Sequence, residues 1–145
     1  MATKKTRKNA PATPRKPAKK SPSDTQVLQA TIESSRDIIM AIDRDYRYLC
    51  FNTAHRAVMR TAYGVDVAVG MNVLDCITSP TDRQNAQANY DRALAGERHS
   101  TVQEYGDVQR AYYESFYNPL VDSDGEVFGI TAIARDVTDR KRAEE

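Results

Sequence analysis

The spacing of apolar residues changes from helical to strand-like within the first third of the chain. Val27, Leu28 and Ile32 fall on one face of an amphipathic helix predicted over residues 24–35. A compact apolar run over residues 37–42 is stopped by a polar turn, and a strand pattern resumes over residues 46–51. This part of the chain therefore predicts a helix followed by a β-hairpin.

The middle of the chain returns to helical spacing. Asn52 or Thr53 can cap a helix that Gly64 can end, because the first two offer a side-chain acceptor and glycine tolerates the left-handed conformation. A short helical stretch over residues 70–77 and a longer helix over residues 80–95 follow. The sequence thus predicts a run of helices between two blocks of strands.

The last third alternates between apolar and polar residues again, with strands predicted over residues 100–105, 110–120 and 127–137. Two strands, a block of helices and three more strands are typical of an α+β domain. We predict a five-stranded antiparallel sheet with the helices packed on one face.

Composition adds a division of charge to this picture. The 145 residues, 40% of them apolar, suffice for one domain with a single core. The first 20 residues hold eight Lys or Arg and no acid, whereas the other 125 hold 13 basic and 20 acidic residues, a net charge of −7. Residues 1–23 are dominated by Lys, Arg, Pro and Ala, so we predict a disordered basic arm on an acidic body.

The arm is a candidate for nucleic-acid binding through phosphates, without base readout. An arm of this kind could equally be a solvated linker or contact an anionic membrane surface. Its basic residues are Lys4, Lys5, Arg7, Lys8, Arg15, Lys16, Lys19 and Lys20.

The sequence predicts a protein of the reducing cytoplasm without membrane insertion. Cys50 and Cys76 are too few for the disulfide framework of a small secreted domain. The longest apolar run, residues 38–42, is far shorter than the ~20 residues that cross a bilayer. The basic N-terminus also lacks the apolar segment of a signal peptide.

Several short motifs occur in the order found in a known family. They are residues 37–43, Phe51-Asn52, Asp82-Arg83, Asn118-Pro119-Leu120, residues 124–127 and the final Asp136-Val137-Thr138 with its charged continuation. With these motifs, residues 25–145 resemble a PAS sensor domain ending in an Asp-Ile-Thr-like signalling motif, as found in bacterial and archaeal sensor kinases. The resemblance implies a PAS domain over residues 36–138, the start of a signalling helix over 139–145, and a role in two-component signal transduction.

In this family the residues matching Asp136 and Thr138 tie the last strand to the exit helix, so the resemblance implies signal transmission at these two positions. Side-chain chemistry independently predicts that Thr138 caps this helix and that Asp139 complements its positive end. The alternative is a last strand that simply continues into a frayed tail.

The resemblance also implies a ligand cavity between the sheet and the central helices. Strand alternation predicts that Tyr113, Ser115 and Tyr117 point inward, as do Ile130, Ala132 and Ala134 on the next strand. Such a pocket suits a small polar or aromatic ligand, while a filled core with satisfied tyrosine hydroxyls is an equal alternative. The complete predicted pocket consists of His55, Met59, Tyr90, Tyr113, Ser115, Tyr117, Ile130, Ala132 and Ala134.

The two histidines predict no metal site, because neither has convergent His, Cys or carboxylate ligands nearby in sequence. A lone histidine such as His55 near a helix start is more often capping or exposed than a ligand contact. His99 is predicted to lie in a solvated loop.

The cofactor is left unknown, and two family cofactors are disfavoured. Haem-binding members carry an axial histidine on the long helix, and residues 80–95 contain none. Flavin-binding members of the LOV type carry their reactive cysteine in an Asn-Cys-Arg-Phe-Leu-Gln stretch, which the surroundings of Cys76 do not match.

The sequence predicts a binding module and not an enzyme. It lacks a phosphate-binding glycine-rich loop, and an enzyme using His55 as a base would have no evident paired acid or nucleophile. The expected partner is an output kinase or regulator, either a separate protein or part of a longer parent. Homodimerisation is expected through Val27, Leu28 and Ile32, with a DNA- or RNA-associated protein using the arm and a dimerising body as the alternative function.

Overall fold

The structure, a computed structural model, describes residues 20–145. Seven of the eight basic arm residues, Lys4 to Lys19, lie outside the described residues, and Lys20 is exposed at their start. The disordered arm and its nucleic-acid role therefore stay predictions.

Helix α1 spans Asp24–Ser34 and precedes the β1–β2 hairpin, formed by Ile38–Asp43 and Tyr48–Phe51. Ser23 caps α1, and its hydroxyl accepts from the backbone N–H of Gln26 at 3.1 Å. No side chain of α1 is buried. The helix therefore gains little from packing in a single chain.

Three helices occupy the middle of the chain: α2 over Thr53–Tyr63, α3 over Val73–Cys76 and α4 over Pro80–Leu94. Asn52 caps α2, and Gly64, at φ 71°, ends it in the left-handed conformation. The predicted helical stretch over 70–77 was too long, because the carboxamide of Asn72 caps only the one turn of α3.

Three strands follow, β3 over His99–Tyr105, β4 over Ala111–Val121 and β5 over Val127–Asp136, and then a short helix α5 over Thr138–Ala143. The sheet order is β2-β1-β5-β4-β3, and every neighbouring pair is antiparallel. The predicted α+β fold with a five-stranded antiparallel sheet is confirmed.

The core lies between one face of this sheet and the three central helices. Strand residues such as Met40, Ile42 and Tyr117 pack with helix residues such as Met59 and Ala93, all at most 5% exposed. The opposite face of the sheet leaves apolar side chains such as Phe116 partly exposed, as expected where no helix covers a strand.

Candidate ligand-binding site

A partly open cavity of about 100 Å³ lies between the helices and the inner face of β1, β3, β4 and β5. The structure brings eight of the nine predicted pocket residues together around it. They are His55, Met59, Tyr90, Tyr113, Ser115, Tyr117, Ala132 and Ala134. Their role in binding a ligand stays a prediction.

Ile130 is the exception, and its predicted place in the wall was wrong. It points inward like its strand neighbours but is fully buried and pairs with the equally buried Ile42 on β1. Both side chains belong to the buried core, and neither lines the cavity.

The cavity exists because small residues of β5 face larger residues of β4. Ser115 is paired with Ala134, and Tyr117 is paired with Ala132. Ala62 on α2 and Ala86 on α4 are small residues on the helix side of the same space. Methyl groups on both layers leave a gap that the tyrosine rings border but do not close.

The prediction missed nine further lining residues: Ile38, Met40, Val58, Ala62, Tyr63, Val73, Ile77, Ala86 and Tyr105. Part of this set had a signal in the sequence. Met40 is paired with Ala132 and Ile38 with Ala134, so extending the alternation from β5 to β1 finds both. Tyr63 lies one helical turn beyond Met59 and shares its face.

The cavity wall is uncharged. No Asp, Glu, Lys or Arg within residues 20–145 lines it. Burial raises the pKa of Tyr90, Tyr113 and Tyr117 above the usual value for a phenol. These tyrosines therefore stay neutral at physiological pH.

His55 is buried in the first turn of α2, contrary to the expectation of a capping or exposed side chain. Its backbone N donates to Oδ1 of Asn52 at 3.0 Å, which positions the residue at the helix start. Its Nε2 is hydrogen-bonded to the hydroxyl of Tyr48 at 2.7 Å, and its ring makes an edge contact with that of Tyr48. Burial lowers the pKa of His55 to about 4, so the imidazole is neutral near pH 7.

Asn52 holds this part of the site together. Its side chain, 1% exposed, accepts from the backbone N of Ile39 at 3.1 Å and donates to the carbonyls of Ile32 and Asp37 at 3.0 and 2.8 Å. With its bond to His55, this one carboxamide joins α1, β1 and α2.

A buried carboxylate lies behind the cavity wall. Asp82 accepts from the hydroxyl of Tyr63 and from the backbone N of Gly106, both at 2.8 Å, and Nη1 of Arg110 lies 3.5 Å from its other oxygen. The backbone of Gly106, at φ 131°, leaves only 1.9 Å between a Cβ and the carbonyl oxygen of Gln109, so glycine is required. The charge of Asp82 is thus met by a hydroxyl of the cavity wall, a backbone N–H and a guanidinium.

His99 begins β3 and does not lie in a loop as predicted. Its ring stacks on Tyr117 with 4.9 Å between centroids, and its Nε2 lies 3.1 Å from Oδ1 of Asn89. Asn89 also donates to Oε1 of Gln103 at 3.1 Å. The periodic pattern missed this contact because a polar strand residue near a glycine resembles a loop residue.

The end of β5 is joined to β4 through Thr138. The Thr138 hydroxyl donates to Oδ1 of Asp136 at 2.5 Å and accepts from the backbone N of Tyr112 at 2.9 Å. The same Asp136 oxygen accepts from the backbone N of Thr138 at 2.9 Å. Thr138 is the first residue of α5, so the prediction that it caps this helix was wrong. Its hydroxyl is hydrogen-bonded to Asp136 and Tyr112 of the strands instead.

The described residues contain neither a candidate metal site nor a helix that could span a membrane. No group of three or more His, Cys, Asp or Glu there could hold a metal ion. None of the helices in that part of the chain is long and apolar enough to cross a membrane.

Comparison with known families identifies the class of domain. A family model described as PAS fold matches residues 32–142. The chain therefore belongs to the PAS family, whose members are sensory modules and typically non-catalytic. Among curated proteins, none matches the chain.

Solved PAS domains share the fold. The PAS domain of Bordetella pertussis BvgS has a TM-score of 0.66 and 20% identity, covering 82% of this chain and 90% of that one. A PAS domain of a Colwellia psychrerythraea protein has a TM-score of 0.62 and 18% identity, covering 81% and 100%. A sensory box sensor histidine kinase of Vibrio cholerae has a TM-score of 0.54 and 18% identity, covering 77% and 87%.

The low pKa of His55 makes a prediction about acid stability. The unfolded chain binds a proton at this residue near the ordinary pKa of 6.5, whereas the folded protein does so only at about 4. Its contribution is thus complete above pH 6.5 and is lost as the pH falls toward 4. Between pH 7 and pH 4, the free energy of unfolding should fall by on the order of 3 kcal/mol more in the wild type than in His55→Gln.

Chemical denaturation at several pH values measures this difference. His99→Gln is the matched control, because it removes the other of the two histidines and should retain the wild-type loss. The same loss of stability in His55→Gln as in the wild type would contradict the assignment.

Proposed function

We propose that this PAS domain senses a small molecule held in the cavity and transmits occupancy to α5 through Asp136 and Thr138. The output would be a kinase or another regulator, either a separate protein or part of a longer parent. The single observation that carries the proposal is that strand β4 provides both a cavity wall and the anchor of α5. Tyr113 lines the cavity, and its neighbour Tyr112 donates its backbone N–H to Thr138.

The second closing strand supports the same route. Ala134 lines the cavity two residues before Asp136, and Asp136 is paired with Tyr113 across the β4–β5 ladder. A ligand that displaces either wall would therefore shift the residues that hold Thr138. An ion pair also joins α5 to β4, since Nη2 of Arg140 on α5 lies 3.8 Å from Oε2 of Glu114 on β4.

The start of α5 is also held closely against β4. The backbone N of Val137 donates to the carbonyl of Tyr112 at 2.8 Å, next to the Thr138 bond. Two hydrogen bonds to one residue fix the start of α5 against β4 in both position and direction. Packed interfaces of this kind move between discrete arrangements and do not deform continuously.

We further propose that α1 mediates homodimerisation. Val27 and Leu28 are 47% and 67% exposed, and Ile32 is half-buried. The last turn of α1 is attached to the body, since Asn52 donates to the carbonyl of Ile32 and the backbone N of Thr53 donates to Glu33. An attached helix with an uncovered apolar face would bury that face against a second copy.

Thr138→Val tests the transmission route because it keeps the shape of the side chain and removes its hydroxyl. Loss of the bond from Tyr112 should accelerate exchange of the Tyr112 amide hydrogen by at least roughly five-fold. The Lys141 amide, which donates to the carbonyl of Val137 within α5, should also exchange faster. Hydrogen exchange followed by NMR measures both.

Thr131→Val is the matched control for this experiment, because Thr131 lies on the same strand and is paired with Asn118, away from α5. It should leave both amides at wild-type rates. If Thr138→Val also leaves them there, Thr138 does not anchor the helix and the proposed route is lost.

Leu28→Asp tests the dimer. A buried carboxylate in an apolar interface is costly, so sedimentation at high micromolar concentration should change from dimer to monomer. Ala30→Asp adds the same charge on the opposite side of α1 and should remain dimeric. A monomeric wild type, or a dimeric Leu28→Asp, would contradict the proposed interface.

A further inference from the structure

The hydrogen bond between Tyr48 and His55 determines which imidazole nitrogen carries the proton. Tyr48 is 1% exposed, and within the described residues its hydroxyl hydrogen-bonds only to Nε2 of His55. A buried hydroxyl donates its proton to the acceptor it has. The reverse arrangement, with Nε2–H donating, would leave the buried Tyr48 proton without an acceptor among the described residues, so we assign Nε2 as the acceptor and Nδ1 as the nitrogen that carries the proton in the neutral imidazole.

The Nδ1–H group is left without a protein partner. No residue in the described part of the chain accepts a hydrogen bond from it, although His55 is only 7% exposed. Its ring lines the cavity. A donor that is not fully enclosed, on a residue that lines a cavity, is available to whatever the cavity holds.

The rest of the wall limits the charge and size of the occupant. An ion would lose its hydration without finding an opposite charge, since the lining residues are apolar or neutral and Asp82 is already paired with Arg110. A volume of about 100 Å³ is of the order that holds one benzene-sized ring. Tyrosine rings around this space favour a flat occupant through edge and face contacts.

We propose that the cavity takes an uncharged single-ring molecule bearing a hydrogen-bond acceptor, and that Nδ1–H of His55 donates to this acceptor. This inference depends on the proposed sensing function, because it specifies the ligand of the same cavity. It makes His55 the residue that determines specificity, while the tyrosines and alanines determine size.

Three probe molecules separate the parts of this proposal. Benzene has the size without an acceptor, pyrimidine has the same ring size with neutral acceptors, and benzoate carries a charge. Wild-type protein should bind pyrimidine roughly five-fold more tightly than benzene, the effect of one added neutral hydrogen bond. Benzoate should not bind measurably, because its charge would have no partner. Changes in amide chemical shifts during titration of the full chain measure all three.

Two variants identify the donor. Tyr48→Phe/His55→Phe removes both members of the hydrogen bond, so no buried polar group loses its partner. It should lose the preference for pyrimidine and bind benzene more tightly, because the ring nitrogens of pyrimidine would then be buried without a donor. Tyr48→Phe alone keeps the imidazole but no longer fixes its tautomer, so its preference for pyrimidine should fall between those of the wild type and the double variant.

A direct spectrum of the histidine tests the premise without any ligand or variant. Long-range ¹H–¹⁵N correlation should show the Nδ1–H tautomer of His55 at neutral pH. The Nε2–H tautomer would overturn the assignment of the donor, whichever variants fold.

The outcomes distinguish this inference from the proposed function. Equal wild-type affinities for benzene and pyrimidine would overturn the role of His55, while the cavity would remain a ligand site. Benzoate binding as tight as that of the neutral rings would overturn the exclusion of ions. Failure of all three probes to bind would overturn both this inference and the sensing function of the cavity.

Discussion

The antiparallel pairing of β5 with β4 is the constraint on which the rest of the structure depends. It sets Ala132 and Ala134 opposite Tyr117 and Ser115, with all four side chains on the face that the helices cover. A slip of one residue would turn the alanines outward and bring Ile133 and Thr131 into the core. The cavity, its neutral wall and its distance from α5 all follow from this register.

The same two strands join the cavity wall to the start of α5. A pocket closed only by helices could change shape without moving the end of the sheet. Here the wall residues Tyr113 and Ala134 belong to the strands whose ends hold Thr138. In the proposed transmission, strain created in the cavity would pass along only one or two residues of covalent chain before it reached the start of α5. A longer pathway of coupled side chains is not required.

Much of this arrangement could be predicted from the sequence, because strands that are buried on one face alternate strictly. That rule predicts that Tyr113, Ser115 and Tyr117 face the cavity, and all three line it. For Ile130 it predicts the correct inward face, but alternation does not tell which inward residues border a cavity and which belong to the filled core. Ile130 is paired with the equally buried Ile42, and this pairing depends on the register between β1 and β5, which a single strand pattern does not contain.

Local patterns also failed where tertiary contacts decide the role of a polar residue. Thr138 has the chemistry of a helix cap, yet its hydroxyl is bound to Asp136 and Tyr112, and Tyr112 lies 26 residues earlier in the chain. His55 has the position of an exposed helix-start residue, yet Tyr48 from the preceding strand gives it a buried partner. Contacts between residues far apart in sequence leave no periodic signal.

The most direct test of the central claim is to fill the cavity from β5 and observe α5. Ala134→Leu adds volume inside, where overpacking forces neighbouring strands to shift, and Thr131→Leu adds volume on the outer face of the same strand. The account predicts that hydrogen exchange at the Lys141 amide accelerates by at least roughly five-fold in Ala134→Leu and is unchanged in Thr131→Leu. Exchange in Ala134→Leu equal to that of the wild type, with the cavity filled in its crystal structure, would contradict the coupling of this cavity to the helix.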